Sequence, residues 1–209
     1  MSTQTPFLEN LAREAATADP AHDFSHCKRV LKNALEIAEI EGGDLEILTA
    51  AAYLHDIANL PKNHPDSKFS ADRSAEQATE ILTKIGMSAE KIILIRDAIL
   101  GHSYSRGLIP QTHEGRVFQD ADRLDALGAI GIARTFTVGG ATGRCIYHLE
   151  DPFGETDRVL DDKDNTLDHF NIKLFTLVEK MQTATGKQKA QERVQTMRYF
   201  MSALQIEIL

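Results

Sequence analysis

Residues 45–65 read LEILTAAAYLHDIANLPKNHP, and their opening half decides the class of fold. Leu45, Ile47, Leu48, Ala50, Ala51, Ala52, Tyr53 and Leu54 leave almost no polar side on a helical wheel, as in a helix buried on every face at the centre of a bundle. His55 and Asp56 then interrupt the apolar run, and Pro61 and Pro65 follow. A proline disfavours helix in the residue before it, so Pro61 predicts that the helix ends within about a turn of the His–Asp pair. Leucine or alanine would extend the buried face without desolvating a titratable group. The pair is therefore read as binding a metal ion, with the remaining ligands supplied from elsewhere in the chain.

Outward from this stretch the period stays helical. HCKRVLKNALEIAEIEGGD (26–44) places Val30, Leu31, Ala34, Leu35, Ile37 and Ala38 on one broad stripe, and Gly42–Gly43 ends it. SADRSAEQATEILTKIG (70–86) predicts a helix capped by Ser70 and stopped at Gly86. Helical patterns recur at 88–103, 119–136, 166–186 and 189–209, and only KIILI (91–95) has a composition equally suited to a strand. The expectation is an all-α, single-domain helical bundle spanning 1–209. Residues 138–166, polar and Gly-rich, are expected to form one long loop of the functional or mobile kind, with further helices packing on the core over 167–209.

Composition narrows the function. The 209 residues are 42% hydrophobic and 26% charged, which suits a globular domain. A net charge of −8 argues against a nucleic-acid polymer as partner, because phosphate contacts need clustered Lys and Arg. Small anionic substrates stay open, since a divalent cation reverses the local field. Cys27 and Cys145 form no C-x-x-C pair, so neither a structural zinc site nor a disulfide framework is expected. The first twenty residues lack the sustained apolar run of a signal peptide, and no stretch reaches bilayer length. A soluble, cytoplasmic protein with no membrane partner is the expectation.

Neighbouring helical residues point about 100° apart, so His55 and Asp56 can face one ion most easily near a helix end. DFSHCKRV (23–30) offers His26 in the first turn of a helix, with Asp23 or Ser25 able to cap it. QDADRLDALGA (119–129) offers Asp120, Asp122 and Asp125 around the expected start of another. Two imidazoles with carboxylates make a mixed N/O set, suited to Mn²⁺, Fe²⁺, Ni²⁺, Co²⁺ or Zn²⁺ with positions left for water.

His26, the doublet His55–Asp56 and the aspartate of DADRLD resemble the H…HD…D signature of the HD-domain metal-dependent phosphohydrolase superfamily. HDIANLPKNHP, GHSYS, QDADRLDALGAIGIAR, EDPF and MQTATGK are similar to its YedJ-like branch, related to the YpgQ-type nucleotide pyrophosphohydrolases; the signature falls within 22–136. The resemblance implies one divalent ion, Mn²⁺ favoured and Mg²⁺ also admissible, held by His26, His55, Asp56 and Asp122. It implies hydrolysis of a phosphoester or phosphoanhydride bond in a small phosphorylated molecule of nucleotide type, with a homodimer admissible. Asp120 and Asp125 are then second-tier groups that cap, pair or orient.

With an ion in place, Asp56 is the expected general base, one oxygen on the metal and the other accepting the proton of the attacking water. Arg29, Lys62, Asn63 and His102 are the candidate substrate contacts. Each has a structural alternative: an ion pair with Asp120 or Asp125 for Arg29, a solvated loop for Lys62, Asn63 and His64, and capping of helix carbonyls for His102. Arg123 is read as structural, Arg106 and Lys163 as more distant phosphate contacts, and the acidic run Asp161, Asp162, Asp164 as solvated surface. Two alternatives stand beside the hydrolase. A dimetal phosphodiesterase or HD-type di-iron oxygenase would recruit ligands from His22, His64, His102 and His113, and a non-catalytic binding module would keep only the scaffold.

Overall fold

The structure is a computed structural model that describes residues 4–16, 23–58, 60, 64 and 66–209. Its chain divides into two compact units, Met1–Asp122 and Arg123–Leu209. The described residues form helices and connections with no strand, only an isolated parallel bridge between Cys145 and Asn165. The fold is all-α, as the periodicity implied.

In the first unit, α1 (Thr5–Ala15) begins with a proline in its first turn and buries Leu8 and Ala12. Helix α2 (Phe24–Glu41) is capped by Asp23, whose carboxylate accepts from His26 N at 2.9 Å. It ends at Gly42, whose φ of 82° is cheap only for glycine. Helix α3 (Leu45–Leu54) is the hub. Ile47, Leu48 and every residue from Ala50 to Leu54 are buried, and α3 packs against α1, α2, α4 and α5. Three consecutive alanines give those neighbours room for close approach. The unit continues with α4 (Ser70–Lys84) and α5 (Ala89–His102), and α6 (His113–Leu124) crosses the boundary between the units.

Several sequence expectations shift here. Ser70 does not cap α4; a single 3₁₀ turn precedes the helix, and Ser70 Oγ instead accepts from Leu60 N at 3.1 Å. KIILI is helical because Ser88 caps α5, accepting from Lys91 N, and Ile95, Ala98 and Ile99 bury one face. The segment 119–136 is not one helix. Helix α6 starts at His113, where Thr112 Oγ1 accepts from Gly115 N at 3.0 Å, and Gly128 opens α7 (Gly128–Ala141) at φ 73°. Asp120 and Asp122 therefore sit in the last turn of a helix, not around the start of one, and Asp125 lies just past its end.

In the second unit α7 runs through Ala141, so the expected 138–166 loop is shorter than its composition suggested. Its remainder is stitched around Asp151. That carboxylate accepts from Glu155 N and Thr156 N and pairs with Arg158, which also grips Asp168 at 2.6 and 2.7 Å. The acidic run is not simply solvated, because Asp162 pairs with His169 at 2.7 Å. Residues 170–174 form a π turn and 175–180 a 3₁₀ turn, a change of winding that keeps Phe170, Leu174 and Leu177 buried. Helix α8 (Ala184–Ile208) follows with Thr183 as its cap.

Candidate metal centre

His26, His55, Asp56 and Asp122 arrive from three helices of the first unit. His26 sits in the capped first turn of α2. His55 occupies the C-cap of α3, where its backbone N–H still reaches Ala51 O at 2.9 Å. Its Nδ1 lies 3.0 Å from Ala52 O. A carbonyl only accepts, so Nδ1 carries the hydrogen and Nε2 of the neutral ring presents a lone pair. Asp56 follows in the turn that leaves α3, and Asp122 comes from the last turn of α6.

The side chains converge. His26 Nε2 stands 3.1 Å from His55 Nε2, 3.9 Å from Asp56 Oδ2 and 3.4 Å from Asp122 Oδ1. His55 Nε2 is 3.4 Å from Asp56 Oδ2. Most of these separations are too long for good hydrogen bonds. They match ligand atoms sharing an ion at about 2.0–2.2 Å, which stand roughly 3–3.5 Å apart when adjacent. His26, His55 and Asp56 each offer a ligand atom within 4.8 Å of the others and could hold a metal ion. Asp122 meets the group through His26. The site is open on its carboxylate side: His55 is fully buried, whereas the side chains of Asp56 and Asp122 keep 12% and 21% of their surface exposed.

Electrostatics agrees with this donor set. Burial pushes His55 down to about 4, with the imidazoles of His102 and His26 adding to the shift and Asp56 opposing it; the ring is thus held in its metal-binding neutral form. For Asp122 burial opposes ionisation. The His26 imidazole facing it, together with the fields of His102 and His55, outweighs burial and keeps the carboxyl well below the usual carboxylate range. Cys27, beside His26, is pushed up to about 12 by burial and then by Asp56, so it stays a thiol and no thiolate enters the set.

The model of the HD domain family matches residues 23–127, a span that contains all four side chains. The chain belongs to the HD-domain family. It is 34% identical over 191 residues to protein YpgQ of Bacillus subtilis, covering 90% of this chain and 84% of that one. The crystal structure of B. subtilis YpgQ in complex with ADP superposes with a TM-score of 0.74 at 30% identity, covering 98% of this chain and 95% of that one. An HD-superfamily hydrolase of Bacillus thuringiensis is 33% identical, with a TM-score of 0.71 over 98% of this chain and 94% of its own.

Around this HD cluster the other expected residues divide. His102 ends α5, and its Nδ1 lies 2.6 Å from Ile99 O, the carbonyl-capping alternative. Yet its Nε2 also faces Asp56 Oδ1 at 3.9 Å, and its ring meets His55 edge-on at 5.1 Å. Arg29 donates to Ser25 Oγ at 2.7 Å, and Ser25 in turn donates to Asp23. Lys62, Asn63 and His22 lie outside the described residues. Asp125 is locked to Arg134 at 2.7 Å, Asp120 is fully buried, and Arg123 donates to Lys180 O. Arg106 pairs with Asp72 at 2.8 Å, His113 reaches Gly42 O, and His64 accepts from Asp66 N. Sequence reasoning missed Phe118, whose ring packs edge-on against His55 at 5.5 Å; its place on the α6 face was hidden by the misplaced helix start.

Proposed function

We propose that this chain is a divalent-metal-dependent phosphohydrolase that cleaves a phosphoester or phosphoanhydride bond in a small nucleotide-type substrate. The observation that carries the reading is the convergence of His26, His55 and Asp56 within 4.8 Å, with Asp122 beside His26. Two imidazoles and two carboxylates are a donor set for Mn²⁺, Mg²⁺, Ni²⁺, Co²⁺, Fe²⁺ or Zn²⁺, and Mn²⁺ is favoured. The nucleotide preference is supported by the relative YpgQ, which was crystallised with ADP. Two free cysteines and the absence of a membrane-length apolar helix among the described residues accord with a cytoplasmic enzyme.

When bound, the ion supplies a more acidic water and polarises a phosphoryl oxygen. The chain's own groups do the rest. Asp56 directs Oδ2 at the two imidazoles and leaves Oδ1 on the His102 side, where it accepts a proton from the attacking water. Carbonyls behind His55 and His102 hold both rings in one orientation. Arg29, Lys62, Asn63 and His102 are assigned to the substrate side.

A dimetal reading, as phosphodiesterase or di-iron oxygenase, is favoured by one observation: His102 Nε2 faces the second oxygen of Asp56. One experiment separates the readings. Protein purified without chelator is analysed for metals, then screened with each ion against nucleotides and phosphomonoesters. One ion per chain with phosphate or pyrophosphate release supports the proposal. Two ions per chain with phosphodiester cleavage or redox turnover supports the second reading, and no metal-dependent turnover of any phosphate ester removes the first.

A further inference from the structure

Asn33 poses the same question as the His–Asp doublet. It lies on α2 about two turns after His26, on the same helical face, among the buried residues Val30, Ala34 and Ile37. Leucine there would extend the apolar stripe, favour the helix more and require no polar partner. Asn33 is instead buried, and its Nδ2 donates to Ala121 O at 3.0 Å.

Ala121 is the residue before Asp122, in the last turn of α6, and a backbone carbonyl has a second lone pair that can accept from outside its own helix. Arg123 O and Leu124 O take their bonds from the following turn, from Ala126 N and Leu127 N. Ala121 O takes one from another helix. The same α2 face thus carries His26 and, through Asn33, grips the peptide from which Asp122 springs. His26 Nε2 and Asp122 Oδ1 face each other at 3.4 Å.

We infer that Asn33 is a positioning residue for the metal centre: its amide holds the C-terminal end of α6 against α2 so that Asp122 stands beside His26. The inference rests on the metal reading and concerns how the fourth ligand is placed. It also accounts for a buried amide in a core of aliphatic residues, since removing it leaves the Ala121 carbonyl buried without this donor.

The test is Mn²⁺ titrated into chelator-stripped full-length protein, with free ion followed by electron paramagnetic resonance. Asn33→Leu is expected to weaken Mn²⁺ binding about tenfold, the range seen when groups that orient metal ligands are removed. Asn33→Ala serves the same purpose if the leucine side chain cannot be accommodated. In an Asp122→Ala background, where His26, His55 and Asp56 remain as ligands, the same substitution is expected to weaken binding less than about twofold, because the group it positions is gone. Ser88→Ala, which removes the cap of α5, controls for lost stability and is expected to leave Mn²⁺ affinity unchanged. Equal weakening in both backgrounds would reduce Asn33 to a structural residue and overturn the inference. So would unchanged affinity in Asn33→Leu or Asn33→Ala. Failure of the unmodified protein to bind Mn²⁺ would instead remove the metal reading beneath it.

Discussion

Two polar clusters in this chain gather carboxylates out of solvent, and they are built on opposite terms. Around Arg158 the polar atoms touch. Its guanidinium meets Asp168 at 2.6 and 2.7 Å and Asp151 at 3.1 Å. Around His55 they stand apart, at 3.4 Å from Asp56 and 3.1 Å from a second imidazole. In the first cluster the chain supplies its own cation and uses bidentate geometry to fix a connection. In the second, the spacing suits an ion placed between the groups. Buried carboxylates alone therefore do not mark a site; the distances among them, and the kind of partner, do.

The contrast is open to attack, most strongly at the centre. His55→Ala or Asp122→Ala is expected to lower turnover by more than about 100-fold and to weaken metal retention, with far-UV helicity preserved. Full activity in either variant would place the chemistry elsewhere. Arg158→Met should do the reverse. It leaves Asp168 buried without its guanidinium, so denaturant unfolding should reveal a loss of about 3 kcal/mol while Mn²⁺ affinity stays as before. A matching loss of Mn²⁺ affinity would erase the distinction between the clusters.

The most gradual effect, a slope rather than a step, sharpens the comparison through pH. His55 titrates at about 4 in the folded chain and at an ordinary 6.5 when unfolded. Between those values the unfolded chain carries a proton on this residue that the folded chain does not. Stability of the metal-free protein therefore rises with pH across the window and falls as pH drops from 6.5 toward 4, at up to about 1.4 kcal/mol per pH unit. The Asp168 carboxyl, held down by Arg158 against its burial, contributes stability above the unfolded carboxylate range that is lost only at lower pH. Denaturant midpoints measured in chelator across both windows should show the upper slope disappear in His55→Gln and persist in Arg158→Met.

Much of this was legible in the residues, and the errors share a cause. Asp23, Gly42 and Gly86 mark helix ends as expected, because a cap or a positive-φ glycine acts within one turn. His55 falls at the end of α3, where Pro61 implied it would. DADRLD carries cap-like aspartates that suggest a helix start, whereas Thr112 caps the start of α6 and Gly128 opens α7. Helix α1 was not recognised from its sequence, although Pro6 stands in its first turn and Leu8 and Ala12 share its buried face. The polar composition of 138–166 concealed a turn of α7 and an Arg158 network that no local pattern announces.

By itself the sequence determined the helical class, most helix ends, and a His–Asp doublet at the close of the most apolar helix, since periodicity and capping are interactions between near neighbours. Tertiary structure alone decided which atoms meet. Asp122 reaches His26 while Asp120 is buried and Asp125 is taken by Arg134, and His102, far along the chain, turns toward Asp56. Such choices depend on the packing of α2, α3, α5 and α6, and packing is settled by contacts between residues that the chain order keeps apart.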